Sequence, residues 1–182
     1  MNKTLLTLIF LIAIAIICIF GCGKGYKTPA DIKDKVAWLD GRSALPIFPF
    51  GTNPIYLFFH AHDCPVSNQM LDEIFSRPEI IEYLNNNFTC ISVIPDSIDS
   101  IMFLGELVDG KRLLEAFRVK GYPAHFFFNN QGYLKGNHYG YIELRVFKQV
   151  LKYVAEGYMD KYDLKTYRNL PEAQLDTVWG EF

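Results

Sequence analysis

From Ile55 to His60 the chain runs through five apolar or aromatic residues closed by a histidine, which predicts a buried strand entered from the turn at Asn53-Pro54. From Val66 the period changes. Met70, Leu71, Ile74 and Phe75 recur at three- and four-residue intervals, one face of a helix that Arg77-Pro78 ends or kinks. A second helical piece, Pro78 to Leu84, is expected to stop at Asn85-Asn86-Asn87, and Phe88 to Ile94 reads as a strand closed by Pro95-Asp96. Ser97 to Asp109 shows no period and is expected to be irregular, followed by a helix from about Lys111 to Phe117. Ala124–Phe128 and Tyr133–Tyr139 read as strands of a hairpin turned by Asn129-Asn130-Gln131-Gly132, and Glu143 to Glu156 as an amphipathic helix. Strands separated by helices imply parallel pairing, and the hairpin adds antiparallel strands: an α/β fold with a mixed sheet and helices on both faces. Upstream, Val36 to Leu39 reads as a helical turn, while the prolines of Leu45 to Pro54 argue against any regular element there.

The first 22 residues belong to another class of segment. Lys3 supplies a positive start, and Leu5 to Phe20 is apolar at all sixteen positions but Thr7, short of the roughly 20 residues of a spanning helix. The run ends in Gly21-Cys22, an ending that resembles a bacterial lipoprotein signal, in which the cysteine is lipidated (palmitate) and becomes the new N-terminus. An uncleaved anchor and ordinary secretory cleavage are the alternatives, because Phe20 is bulky for the lipoprotein pattern. All three place the rest of the chain outside the cytoplasm, and the lipoprotein reading anchors it on a bacterial membrane, facing the periplasm or the cell surface. The expected organisation is a signal at 1–22, a tether at 23–35, a domain at 36–156 and a C-terminal extension at 157–182, whose tyrosines and tryptophan define no element.

Half of the chain is hydrophobic and 15% aromatic, a globular composition. A net charge of −2 without a basic run argues against nucleic acid as a partner. Of four cysteines, Cys18 lies in the apolar run and Cys22 at its end, leaving Cys64 and Cys90 for the domain. In an oxidising compartment two free thiols call for an explanation. Cys90, in mid-strand, reads as a buried structural thiol. In parallel strands it would stand about five residues below Cys64, on the order of 15 Å at ~3.3 Å per residue, beyond the ~7 Å Cα limit of a disulfide.

The element order, with Leu57-Phe58-Phe59-His60-Ala61-His62-Asp63-Cys64-Pro65-Val66-Ser67 at the first strand-to-helix corner and Gly121-Tyr122-Pro123 before the hairpin, resembles the thioredoxin superfamily. The likeness covers about Val36 to Tyr167. Within that superfamily Cys64-Pro65-Val66-Ser67-Asn68-Gln69-Met70 is similar to the active-site run of secreted thioredoxins associated with sulfur oxidation (SoxW-like). The resemblance implies a cis-proline at Pro123 facing Cys64, and it makes two departures visible. Ser67 stands where the resolving cysteine belongs, making a CxxS site, and Phe58 stands where many relatives keep a buried aspartate.

Disulfide reduction by a dithiol needs a thiolate to attack and a second thiol to release the mixed disulfide. Cys64 is able to do the first step only, aided by helix-opening amides and by Ser67 as a hydrogen-bond donor. Three readings stay open. The first is a partner-binding module that uses His62, Tyr122 and Pro123 around Cys64 without self-sufficient reductase activity. The second is a monothiol oxidoreductase with Cys64, Ser67 and Pro123 as catalytic positions, its mixed disulfides with extracytoplasmic protein thiols or disulfides resolved by an external small thiol. The third is a metal site through His60, His62, Cys64 and His125. His125 reads more readily as a strand histidine, and His138 has no assigned role. The expectation retained is a redox or binding protein with no cofactor and no resident metal.

Overall fold

The structure is a computed structural model that describes residues 35–49 and 51–170. The apolar run Leu5–Phe20, Cys22, nearly all of the tether and the end of the C-terminal extension lie outside the described residues.

Five strands form the central sheet: β1 (Leu39–Asp40), β2 (Ile55–Phe59), β3 (Thr89–Val93), β6 (Ala124–Phe128) and β7 (Leu134–Tyr139). Their spatial order is β1-β3-β2-β6-β7. β3 runs parallel to β1 and to β2, whereas β6 runs antiparallel to β2 and β7 antiparallel to β6. This is the mixed α/β sheet expected from the alternation of elements. Every residue of β2 and of β6 is buried, as continuous apolar runs in central strands require.

Period-two alternation along β2 splits the core. Tyr56 and Phe58 point to one face with Phe127, against α2 (Pro65–Glu73), α3 (Pro78–Asn87) and α5 (Leu144–Ala155). Ile55, Leu57 and Phe59 point to the other, with Phe126 and Phe128, against α4 (Gly110–Ala116), whose Leu113 is fully buried. Arg77-Pro78 separates two helices rather than kinking one, since Arg77 caps α3 with Pro78 at its first turn. The helix runs through the asparagine triplet and ends with it, at Asn87. Asn85 accepts a hydrogen bond from the Ala37 N–H at 2.7 Å and donates to the Lys35 carbonyl at 2.9 Å, so it serves as a tertiary clamp from within the helix.

Three expectations are corrected. Val36–Leu39 is not a helical turn: Leu39 and Asp40 pair with Ile91 and Ser92 as an edge strand, and the helical turn α1 (Gly41–Ala44) follows, capped by Asp40. The proline-rich stretch begins with a short 3-10 turn, Leu45–Ile47, because Pro46 sits at its start, where no N–H is needed. The third concerns Ser97–Asp109, which contains a hairpin of β4 (Ile101–Phe103) and β5 (Glu106–Val108). Ile101, Phe103 and Val108 are buried on its inner side. Phe103 meets Phe48 and Phe117 at centroid distances of 6.5 and 5.4 Å. Gly110 closes the segment at a point where a Cβ would stand 2.0 Å from the Pro95 carbonyl oxygen, so only glycine fits.

The turn of this hairpin places Leu104 at φ 51° and Gly105 at φ 86°, the left-handed pattern that asparagine-glycine serves best. Leu104 is also 71% exposed. Leu104→Asn is therefore expected to raise stability by about 0.5–1 kcal/mol, since a branched side chain is disfavoured in that conformation. A urea midpoint that does not rise at unchanged slope would count against it.

The first part of the C-terminal extension packs on the domain. After a 3-10 turn at Tyr158–Asp160, the short helix α6 (Leu164–Arg168) is capped by Asp163 and inserts Tyr167, fully buried, beside α5.

Candidate functional site

Cys64 is the residue before α2, in extended conformation (φ −87°, ψ 110°), with Pro65 opening the helix. That corner arises because β2 ends at Phe59 and His60-Ala61-His62-Asp63 carries the chain from sheet to helix. The free amides of the first turn therefore point at the cysteine. Cys64 is half-buried and, like the deeply buried Cys90, a free thiol. Cys90 pairs with Tyr56 near the start of the β2–β3 register, away from the corner, and burial pushes its thiol far up in pKa.

Across from Cys64 the Tyr122–Pro123 peptide is cis, as the resemblance implied. The Cys64 thiol donates to the Tyr122 carbonyl at 3.7 Å, so Cys64, Tyr122 and Pro123 are brought together. Ser67 joins them from inside α2. It is wholly buried, and its hydroxyl has no hydrogen-bond partner.

Burial works to raise the Cys64 pKa, and the Asp63 charge adds to that. The Ser67 hydroxyl and the Ser67 and Val66 amides outweigh both, and the net displacement is below the ordinary thiol value. A buried hydroxyl without an oxygen or nitrogen acceptor is costly. Beside a thiolate it has an acceptor, so the pair favours the ionised sulfur. Tyr122, half-buried, has its phenol held above its usual pKa by burial, then by the nearby charges of Asp96 and Cys64.

The histidines separate into three settings. His62 is exposed, beside the corner. His60 is buried with its Nε2 on the Ser92 hydroxyl at 2.7 Å, and burial, with His62 nearby, lowers its pKa to about 4. His125 is buried on β6 with both ring nitrogens occupied, by the Tyr56 hydroxyl at 2.7 Å and the Gly140 carbonyl at 3.0 Å. His60, His62, Cys64 and His125 therefore do not converge, and among the described residues no group of three or more histidine, cysteine, aspartate or glutamate side chains is placed to hold a metal ion. The bonds of His125 were not legible in the sequence, where its alternation with apolar neighbours marks only a buried strand position.

Phe58, at the place of the missing aspartate, stacks on Trp38 and His60 at centroid distances of 5.6 and 4.9 Å. It fills the space beneath the corner with aromatic carbon, so no carboxylate serves Cys64 from below. His62 also lines a recess of about 330 Å3, with Trp38, Asp40, Arg42, Ser92 and Ile94.

A mixed sheet in this order, with a half-buried cysteine at the β2–α2 corner facing a cis-proline, defines the thioredoxin class. The chain belongs to the thioredoxin-like domain family, whose sequence model matches residues 49–155. Among solved structures it is similar to a thioredoxin-fold protein from Helicobacter pylori, at 16% identity and a TM-score of 0.58, over 64% of this chain and 82% of that one. A thioredoxin from Thermus thermophilus matches at 24% identity with a TM-score of 0.46, over 56% of this chain and 73% of that one. The exposed lipoprotein thioredoxin of Streptococcus pneumoniae matches at 22% identity with a TM-score of 0.42, over 56% and 84%. At these identities the likeness bears on the fold, and the Helicobacter protein carries it. No curated protein sequence matches significantly.

Proposed function

We propose that this protein is a membrane-tethered, extracytoplasmic thioredoxin-like protein that captures partner proteins at its CxxS site through Cys64 and depends on an external thiol for their release. The observation that carries this reading is the lowered pKa of Cys64 together with the buried, otherwise unpartnered hydroxyl of Ser67. The Cys64 thiolate attacks one sulfur of a partner disulfide, a new S–S bond forms to Cys64, and the other partner sulfur leaves as a thiolate. Ser67 has no sulfur with which to reverse the bond. A small thiol must therefore attack the mixed disulfide, restoring the Cys64 thiolate and carrying the partner's sulfur away in a new disulfide. The likeness of the Cys64–Met70 run to secreted thioredoxins supports the location, as does the apolar N-terminal run ending in Cys22.

Two measurements test it on the purified chain. Alkylation of Cys64 by iodoacetamide is expected to half-saturate below the ~8.5 of a free cysteine. Intact mass after exposure to glutathione disulfide should show one adduct on Cys64, stable until an external thiol is added. Alkylation with the profile of an unperturbed thiol would sink the proposal. Partner capture that survives Cys64→Ser would instead make the domain a noncovalent binding module around Tyr122 and Pro123.

A further inference from the structure

His125 belongs to none of the steps above, yet it is buried, polar and doubly bonded. Its Nε2 lies 3.0 Å from the Gly140 carbonyl, which only accepts, so Nε2 carries the proton. Burial lowers the ring's pKa to about 3, and the neighbouring His138 acts in the same direction against the bond to Gly140. The ring is therefore neutral, Nδ1 is an acceptor, and the Tyr56 hydroxyl donates to it at 2.7 Å. The chain of bonds continues: the Gly140 N–H donates to the Pro123 carbonyl at 2.7 Å, and the Cys64 thiol donates to the Tyr122 carbonyl at 3.7 Å.

On the reading that Cys64 is the reacting thiol, we propose that His125 is a positioning residue: by gripping Gly140 it holds the Tyr122-Pro123 backbone in place and sets the Tyr122 carbonyl against the Cys64 sulfur. Gly140 lies just past the end of β7, at φ 89°, where the chain leaves the sheet. Its carbonyl takes the His125 ring and its amide takes Pro123, so this one residue joins the buried histidine to the loop facing Cys64. Tyr56, Phe58, Phe147 and His138 surround the ring, with centroids 5.3–6.4 Å away, and keep it from turning. The Tyr122 carbonyl favours the protonated sulfur, because a thiol donates to it and a thiolate is repelled by it. Ser67 and the α2 amides favour the ionised form. His125 thus acts on the balance between a resting thiol and a reactive thiolate, with Asp63 the charged neighbour that opposes ionisation and the Tyr122 phenol the other titratable group at hand.

The test compares iodoacetamide alkylation across pH for the wild type, His125→Leu and His125→Gln, alongside hydrogen exchange of the Gly140 amide. Loss of the grip in His125→Leu is expected to move the Cys64 profile down by about half a pH unit, roughly threefold more thiolate on its acidic limb, and to speed exchange at Gly140. Glutamine places a donor near the position of Nε2 and is expected to restore both. Tyr56→Phe keeps the bond to Gly140 and should leave the profile in place at lower stability. If His125→Leu does not fold, His125→Asn takes its part, because it keeps an acceptor for Tyr56 but is too short for Gly140. A profile unchanged or raised in the variant that lacks the grip overturns the proposal. Should the wild-type thiol itself titrate as an ordinary cysteine, the reading of Cys64 fails, and the difference between variants still decides the part of His125.

Discussion

Ser67→Cys is expected to turn a chain that needs an external thiol for every release into one that resolves its own mixed disulfides and reduces insulin disulfides many-fold faster in the presence of dithiothreitol. The substitution suits its site. Ser67 lies three residues after Cys64, fully buried in the first turn of α2, and its hydroxyl has no hydrogen-bond partner to leave orphaned. A sulfur there is poised to attack the mixed disulfide on Cys64 and expel the reduced partner, the step the native chain lacks. The result should be multiple turnovers per molecule and an intact mass two hydrogens lower in the oxidised variant. Ser67→Ala is the complementary case. It removes the strongest of the hydrogen bonds that stabilise the thiolate, and the alkylation profile of Cys64 should rise by about one pH unit. A Ser67→Cys chain whose introduced sulfur forms no disulfide with Cys64, or forms it without turnover, would show that more than the second sulfur is missing; Phe58 would then be the residue to change.

Tyr167→Ala is expected to cost about 3–5 kcal/mol, the range for emptying a large aromatic site in a core. For a domain of this size that is on the order of 10 °C in Tm. Tyr167 comes from α6, a helix of five residues, yet it is fully buried and packs against Tyr153 and Tyr158 at centroid distances of 5.1 and 5.0 Å. Tyr153 in turn donates to the Tyr162 carbonyl at 2.8 Å, tying the loop before α6 to α5. The Tyr167 hydroxyl is itself buried without a hydrogen-bond partner, and burial, then the neighbouring Glu156 and Tyr158, push its pKa far up. Tyr167→Phe keeps the ring and removes the orphan, and should be neutral or stabilising by up to about 1 kcal/mol. Thermal unfolding of the two variants separates packing from polarity. A Tyr167→Ala domain that melts with the wild type would mean that α6 is not part of the cooperative unit.

Much of the fold was legible because long apolar runs and three- to four-residue periods leave little choice of element. β2, β3, the β6–β7 hairpin and the helices on either side of Pro78 stand within a few residues of where the pattern puts them. Short elements were not. β1 has two residues, and β4 and β5 three each, too few for any period to show, and they are strands only because a neighbour pairs with them. The turn between β4 and β5 uses Leu104-Gly105 where asparagine-glycine is the usual signal, so the hairpin had no marker. Asn85 reads locally as a helix breaker and is kept in α3 by bonds to residues 48 and 50 positions away.

The candidate site divides along the same line. The residue types and spacing at Cys64, Ser67 and Tyr122-Pro123, and hence the absence of a second sulfur, are properties of the chain itself, because chemistry at a helix start depends on near neighbours. Only the tertiary structure decided that the Ser67 hydroxyl is buried without a hydrogen-bond partner, that the Tyr122 carbonyl meets Cys64, and that His125 faces inward to hold Gly140. Burial and hydrogen-bond partnership depend on what distant segments bring to the same place, and that is settled when β6 and β7 pack beside β2.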